Sequence, residues 1–262
     1  MAIYCTGDTH SKVIERFSFK HNPELRQLTE NDTMVITGDW GAIWDAMPSK
    51  QDKYILDWMN NQKYHFLIVL GNHENYDVID TMPKSTWKNG EVLQCVYDGK
   101  TYDNIHIVRK TSIFDIDGQH ILCISGADSH DIDNLLDPFD DQYDNQKRYF
   151  NKHDIFYRTI GETWWPQESI DIQEAMKVIE PRENEFFDII FTHDMPAIGC
   201  NMFTVCGHRL AATEGEQYLD VLRKTLNYDC WLHGHMHEDR AYPRELAKNI
   251  ACIYQGIYKL VD

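Results

Sequence analysis

Residues 66–75 read FLIVLGNHEN, and this stretch decides the fold. Five apolar residues, Phe66 to Leu70, run unbroken into Gly71-Asn72-His73-Glu74. A short apolar run closed by glycine reads as a strand buried on both faces, the kind that α/β sheets contain. In open α/β folds, ligand-binding and catalytic groups gather beyond the carboxyl ends of strands. Here an amide, an imidazole and a carboxylate stand at that place, after a glycine that lets the backbone turn sharply. A polar turn would explain the tetrapeptide alone equally well. Four other strand ends repeat the pattern, and that tips the reading.

Upstream, residues 2–5 form the first expected strand and close in Thr6-Gly7-Asp8-Thr9-His10. Residues 33–37 form the second and close in Gly38-Asp39. Downstream, residues 187–191 end in Thr192-His193-Asp194, and residues 230–232 end in His233-Gly234-His235-Met236-His237. Between them, Tyr54, Ile55, Trp58 and Met59 have helical spacing, and capping boxes at Asp171–Glu174 and Thr213–Glu216 each open a helix. From residue 91 to 127 the pattern is β: short strands at 92–97, 105–109, 112–116 and 120–125, the last two joined by an Asp117-Gly118 hairpin. Residues 128–144 hold seven aspartates and no Lys or Arg, which predicts a solvated excursion reaching to about residue 170. The calcium-loop pattern and its central glycine are missing there. Trp164-Trp165-Pro166 reads as a packing or cleft-wall element. With no repeat, linker or composition break, residues 1–262 are expected to form one domain.

Composition narrows the function. The chain is 42% hydrophobic and 12% aromatic, enough for a substantial core. Its 25 Lys+Arg against 42 Asp+Glu give a formal charge of −17, which disfavours a nucleic-acid partner. A phosphate substrate then needs a local cationic centre, such as bound metal. Seven cysteines without a CxxC pair, and no signal peptide or membrane-length apolar run, predict a cytoplasmic location and no membrane partner.

The five strand ends supply Asp8 and His10; Asp39; Asn72 and His73; His193; and His235 and His237. Imidazole and carboxylate together suit borderline divalent metals, and thiolate is absent from the set. About seven ligands and one spare histidine are too many for one ion, but two ions ~3.5–4 Å apart sharing a carboxylate would use them. His21, His65, His106, His120, His130, His153 and His208 lack this strand-end context.

These blocks resemble the calcineurin-like metallophosphoesterase superfamily: GDTH at 7–10, GD at 38–39, GNHE at 71–74, TH at 192–193 and GHMH at 234–237, in the family order. The resemblance implies an α/β fold, a two-sheet β-sandwich flanked by helices in four αββα layers, with a dinuclear site at the strand ends. It implies that Asp8, His10 and His237 hold one ion and Asn72, His193 and His235 the other, with Asp39 bridging. Manganese is the first expectation for both ions, with iron, zinc, cobalt or nickel as alternatives. It further implies hydrolysis of a phosphomonoester or phosphodiester by direct attack of a metal-bridging hydroxide, with Asp39 and Asn72 in the catalytic centre and His73 as general acid. The expected partner is a small phosphoester or nucleotide substrate.

The chain also departs from the pattern. The protein-phosphatase branch carries Asp-Arg-Gly shortly after its GD, whereas Trp40-Gly41-Ala42-Ile43-Trp44-Asp45 follows here. One phosphate clamp is therefore missing, which weighs against a serine/threonine protein phosphatase. The carboxylate that supports the catalytic histidine in that branch is also absent from its usual place, leaving Asp45 or Asp77 as substitutes. The closing GHMH looks more like the bacterial phosphodiesterase-type branches. A non-catalytic scaffold on the same fold, like the retromer subunit, would have eroded ligands, and every block here is intact. Segments 40–48, 128–165 and 200–214 are the expected walls of the site, and His208 and Arg209 are the candidates for contact with a substrate anion, Arg209 first.

Overall fold

The computed structural model describes residues 2–45, 47–205, 208–209 and 211–261, with backbone alone for 205, 208 and 209. Two mixed sheets carry the chain. One has seven strands in the order Tyr258–Val261, Ile3–Thr6, Thr33–Thr37, His65–Val69, Lys100–Val108, Gly90–Tyr97, Lys84–Trp87. The other has six, in the order Arg240–Ala241, Ile250–Cys252, Asn227–His233, Phe186–Thr192, Gln119–Ile124, Thr111–Ile116. In the first sheet Ile3–Thr6, Thr33–Thr37, His65–Val69 and Lys100–Val108 are parallel neighbours. In the second, the run from Gln119–Ile124 to Ile250–Cys252 is parallel. Parallel strands end on the same side, so five apolar runs deliver their polar tails to one edge of the molecule.

Alternation within the strands makes the layers. Ile3, Cys5, Val35, Leu67 and Val69 face Ile121, Cys123, Ile189 and Phe191 in the apolar layer between the sheets. The other face of the first sheet, with Met34, Ile36, Phe66 and Ile68, packs on Val13, Phe17, Leu56 and Met59. The other face of the second, with Leu122, Ile124 and Trp231, packs on Ala175 and Ile179 of helix Ile172–Ile179 and on Leu219 and Leu222 of helix Glu214–Thr225. Helix, sheet, sheet and helix stack as four layers, as the sequence implies. The Thr213–Glu216 capping box is complete, with both reciprocal bonds present.

Local differences have clear causes. The Asp117-Gly118 hairpin forms, with φ of 53° and 77°. Two more left-handed turns form at Lys88-Asn89 (48°, 69°) and Asp98-Gly99 (51°, 73°). They add the strand Lys84–Trp87 and extend the expected strand at 105–109 back to Lys100. The acidic excursion is more ordered than a solvated loop: Leu135–Leu136 pairs with Arg158–Thr159, and a helix spans Tyr143–His153 without one buried residue. Among the described residues, no helix is long and apolar enough to cross a membrane.

Candidate metal centre

Three of the five ligand-bearing strands stop where the chain leaves the extended conformation abruptly. Asp8, His10, Asp39, His235 and His237 all have left-handed φ, between 40° and 67°. Asp and His tolerate this region better than most residues, and such strain collects at functional sites. Three glycines make room for the neighbouring ligands. A Cβ on Gly38 would sit 1.9 Å from His193 Nδ1, one on Gly71 2.3 Å from Asp39 Oδ1, and one on Gly234 2.5 Å from Asp8 Oδ2.

The side chains converge as two sets. Asp8, His10, Asp39 and His237 form one, and Asp39, His193 and His235 form the other, each with its ligand atoms within 4.8 Å of one another. Asp39 belongs to both through different oxygens: Oδ2 lies 3.7 Å from His10 Nε2, and Oδ1 lies 3.2 Å from His193 Nε2. Asn72 joins the second set, its Oδ1 3.2 Å from His193 Nε2 while its Nδ2 donates to Ser129 Oγ at 3.0 Å.

These residues fit divalent cations. His10 Nε2 and His237 Nε2 meet at 2.9 Å, and two imidazole lone pairs so placed need a cation or a proton between them. His235 Nε2 is buried with no hydrogen-bond partner. His193 Nδ1 donates to the Thr37 carbonyl at 2.8 Å, which fixes the tautomer and aims the Nε2 lone pair into the site. Burial alone would lower the His193 pKa, but Asp39, Asp8 and the Thr37 carbonyl outweigh it and push it up to about 10. The site therefore demands positive charge, which a bound cation supplies while leaving the imidazole neutral.

The loops are tied together behind the ligands. Glu74, fully buried and pushed up to about 8 by burial and by Asp39, accepts from the Trp40 and Gly41 amides at 2.8 and 3.2 Å. The His235 amide donates to both Asp8 oxygens (3.0 and 3.2 Å), and the His73 amide to Asp39 Oδ1 (2.9 Å).

The chain belongs to the calcineurin-like phosphoesterase family, whose sequence profile matches residues 1–239. The sheets and the His/Asp ligand sets agree with a metallophosphoesterase. Among solved structures it is similar to phosphopantetheinyl hydrolase from Mycobacterium tuberculosis, at 13% identity over 97% of this chain and 88% of that one, with a TM-score of 0.46. It is also similar to the calcineurin-like phosphoesterase YfkN from Bacillus subtilis, at 13% identity over 100% of this chain and 85% of that one, with a TM-score of 0.41. No curated protein matches it.

All seven expected ligands and His73 gather at this edge. His73 stacks on Trp44, 6.1 Å between centroids, and Trp44 meets Trp165 edge-on at 5.7 Å. The Trp164–Pro166 segment is thus part of the wall behind His73. Of the two carboxylates offered as a support for His73, Asp77 is engaged elsewhere: it accepts from Trp165 Nε1 at 2.9 Å. The side chain that does reach His73 is Arg158, its Nη2 3.4 Å from Nε2. The side chains of His208 and Arg209 lie outside the described residues.

Three groups in the cleft went unread in the sequence. Arg158 and its partner Asp131 carry no motif. His130 lacks a strand end, yet its ring lies 4.9 Å from that of His235, and its Nε2 is buried without a partner. The only signal was their membership in the expected wall segment.

Proposed function

We propose that the protein is a dinuclear metal-dependent hydrolase of small phosphoesters, with His73 as general acid. The observation that carries this reading is Asp39, whose two oxygens face two separate ligand sets across one carboxylate. When bound, two divalent cations supply Lewis acidity to phosphoryl oxygens and lower the pKa of water. Asp8, His10 and His237 would hold one cation, and Asn72, His193 and His235 the other. That ligands come from residue 8 to residue 237 supports treating the chain as one domain.

His73 stands beside both sets without belonging to either. Burial lowers its pKa, Asp39 opposes this, and Arg158 adds to the lowering. An arriving phosphoryl anion favours the protonated ring, which then passes its proton to the leaving oxygen. Trp44 holds the ring plane during that transfer.

The test is hydrolysis of an aryl phosphomonoester and its diester with added Mn²⁺, beside Asp39→Asn. Metal-dependent turnover in the wild type is expected, lost in the variant together with bound metal. Turnover that survives Asp39→Asn would refute the bridging role.

A further inference from the structure

The sequence lacks the arginine that follows the GD block in the protein-phosphatase branch, but the fold places another cation at the site. Arg158 belongs to the acidic excursion and is only 9% exposed. Its place is fixed from several sides. Its backbone lies in the ribbon with Leu135–Leu136, and its amide donates to the Asn134 carbonyl at 3.0 Å. Its Nε donates to Asp131 Oδ1 and Oδ2 (3.1 Å each), Nη2 to Asp131 Oδ2 (2.5 Å) and Nη1 to the Thr163 carbonyl (3.2 Å). Phe156 lies under the guanidinium, 5.5 Å from ring centroid to Cζ.

These contacts leave Nη2 with a second N–H turned toward His73 Nε2, 3.4 Å away. That separation suits two neighbouring oxygens of one phosphoryl group, one taking the Arg158 N–H and the other the His73 proton. The two cations, when bound, would take two non-ester oxygens, and with His73 toward the ester oxygen the third non-ester oxygen would be the one within reach of Arg158. A phosphomonoester has that oxygen as an anion; a diester has a second ester group in its place. A buried guanidinium facing an ester group meets a neutral, weakly accepting oxygen and forms no ion pair.

Resting on the dinuclear reading above, we propose that Arg158, anchored by Asp131, binds the third phosphoryl oxygen and makes the site selective for phosphomonoesters. Orthophosphate, the product, carries the same oxygen and serves as a probe that needs no turnover.

The experiment loads the full chain with Mn²⁺, counts the metal, and measures phosphate affinity by calorimetry in wild type and Arg158→Gln. The variant keeps both ions, binds phosphate about tenfold more weakly or worse, as loss of one charge-assisted hydrogen bond implies, and loses its preference for monoester over diester. A metal-replete variant with unchanged phosphate affinity overturns the proposal. Should the variant not fold, Arg158→Lys decides: an unforked cation does not bridge Asp131 and the phosphoryl oxygen, so phosphate binds at least about tenfold more weakly, and a metal-replete Arg158→Lys with wild-type phosphate affinity overturns the proposal. Wild-type protein that binds two ions and phosphate but hydrolyses neither ester defeats the phosphoesterase reading, and the phosphate affinities still test Arg158. Wild type that takes up no metal defeats both.

Discussion

Gly38→Ala is the sharpest probe of how the site is built. The new methyl carbon would lie 1.9 Å from His193 Nδ1 and 2.2 Å from its Cγ. Relaxed contacts of this kind need about 3.5–4.0 Å, so the ring must move by roughly 1.5 Å or more. Movement breaks the Nδ1–H bond to the Thr37 carbonyl, leaving a buried donor unpaired at about 1–3 kcal/mol. Overpacking adds roughly 1–3 kcal/mol, and a left-handed alanine (Gly38 has φ of 90°) adds about 1–2 kcal/mol. The sum, about 3–8 kcal/mol, is comparable to the whole stability of an ordinary domain, roughly 5–15 kcal/mol. Gly118→Ala is the control: φ is 77°, but nothing lies within 4 Å of its Cβ, so only the backbone cost of about 1–2 kcal/mol applies. Urea unfolding of both variants in chelator measures the difference, and metal analysis asks whether the His193 half of the centre is lost. Gly38→Ala within about 1 kcal/mol of Gly118→Ala, with both ions retained, would refute the steric argument.

Two further outcomes follow from named contacts. His73→Ala keeps both metals and loses about 10²–10⁴-fold in kcat, the usual worth of a general acid; metal loss equal to that of Asp39→Asn would contradict the assignment. His120 lies far from this chemistry, with Nδ1 2.9 Å from Asp115 and Nε2 3.0 Å from Glu185. Burial opposes its charge, but the two carboxylates raise its pKa above the ordinary value of 6.5. The folded state therefore binds the proton more tightly than the unfolded chain. This stabilisation is complete below about pH 6.5 and fades as pH rises through the raised value. Unfolding midpoints of wild type and His120→Gln should differ at about pH 5 and converge at about pH 9; a constant gap would rule the linkage out.

The parts legible in sequence were those carried by local pattern. An unbroken apolar run ending at glycine announces a buried strand and its turn, and Phe66–Leu70 before Gly71 is the clearest case. The four layers came instead from the family resemblance of the five blocks, because strands with a core on both faces show no apolar–polar alternation. What escaped was set by distant partners. Glu74 sits in the quoted stretch, but its task depends on amides 34 and 33 residues away. Arg158 reaches the cleft only because a two-residue ribbon and Asp131 carry it there. His130 follows no strand; it arrives because the Ser129 amide is held by buried Glu168 at 2.8 Å. The edge strand Lys84–Trp87 is largely exposed and lacks the apolar signal, and its turn uses Lys88-Asn89 rather than a residue pair ending in glycine.

The ligands divide between the sheets: Asp8, His10, Asp39 and Asn72 hang from one, and His193, His235 and His237 from the other. The layer of Cys5, Val69, Cys123 and Phe191 between those sheets is therefore a spacer that would gauge the aperture for any ions bound there. Interiors packed at crystal-like density transmit a change of one methylene. Any ion-size selection at this edge would then be partly a property of oily residues that never touch a metal. Cations seated there would in turn tie the two sheets together at that rim.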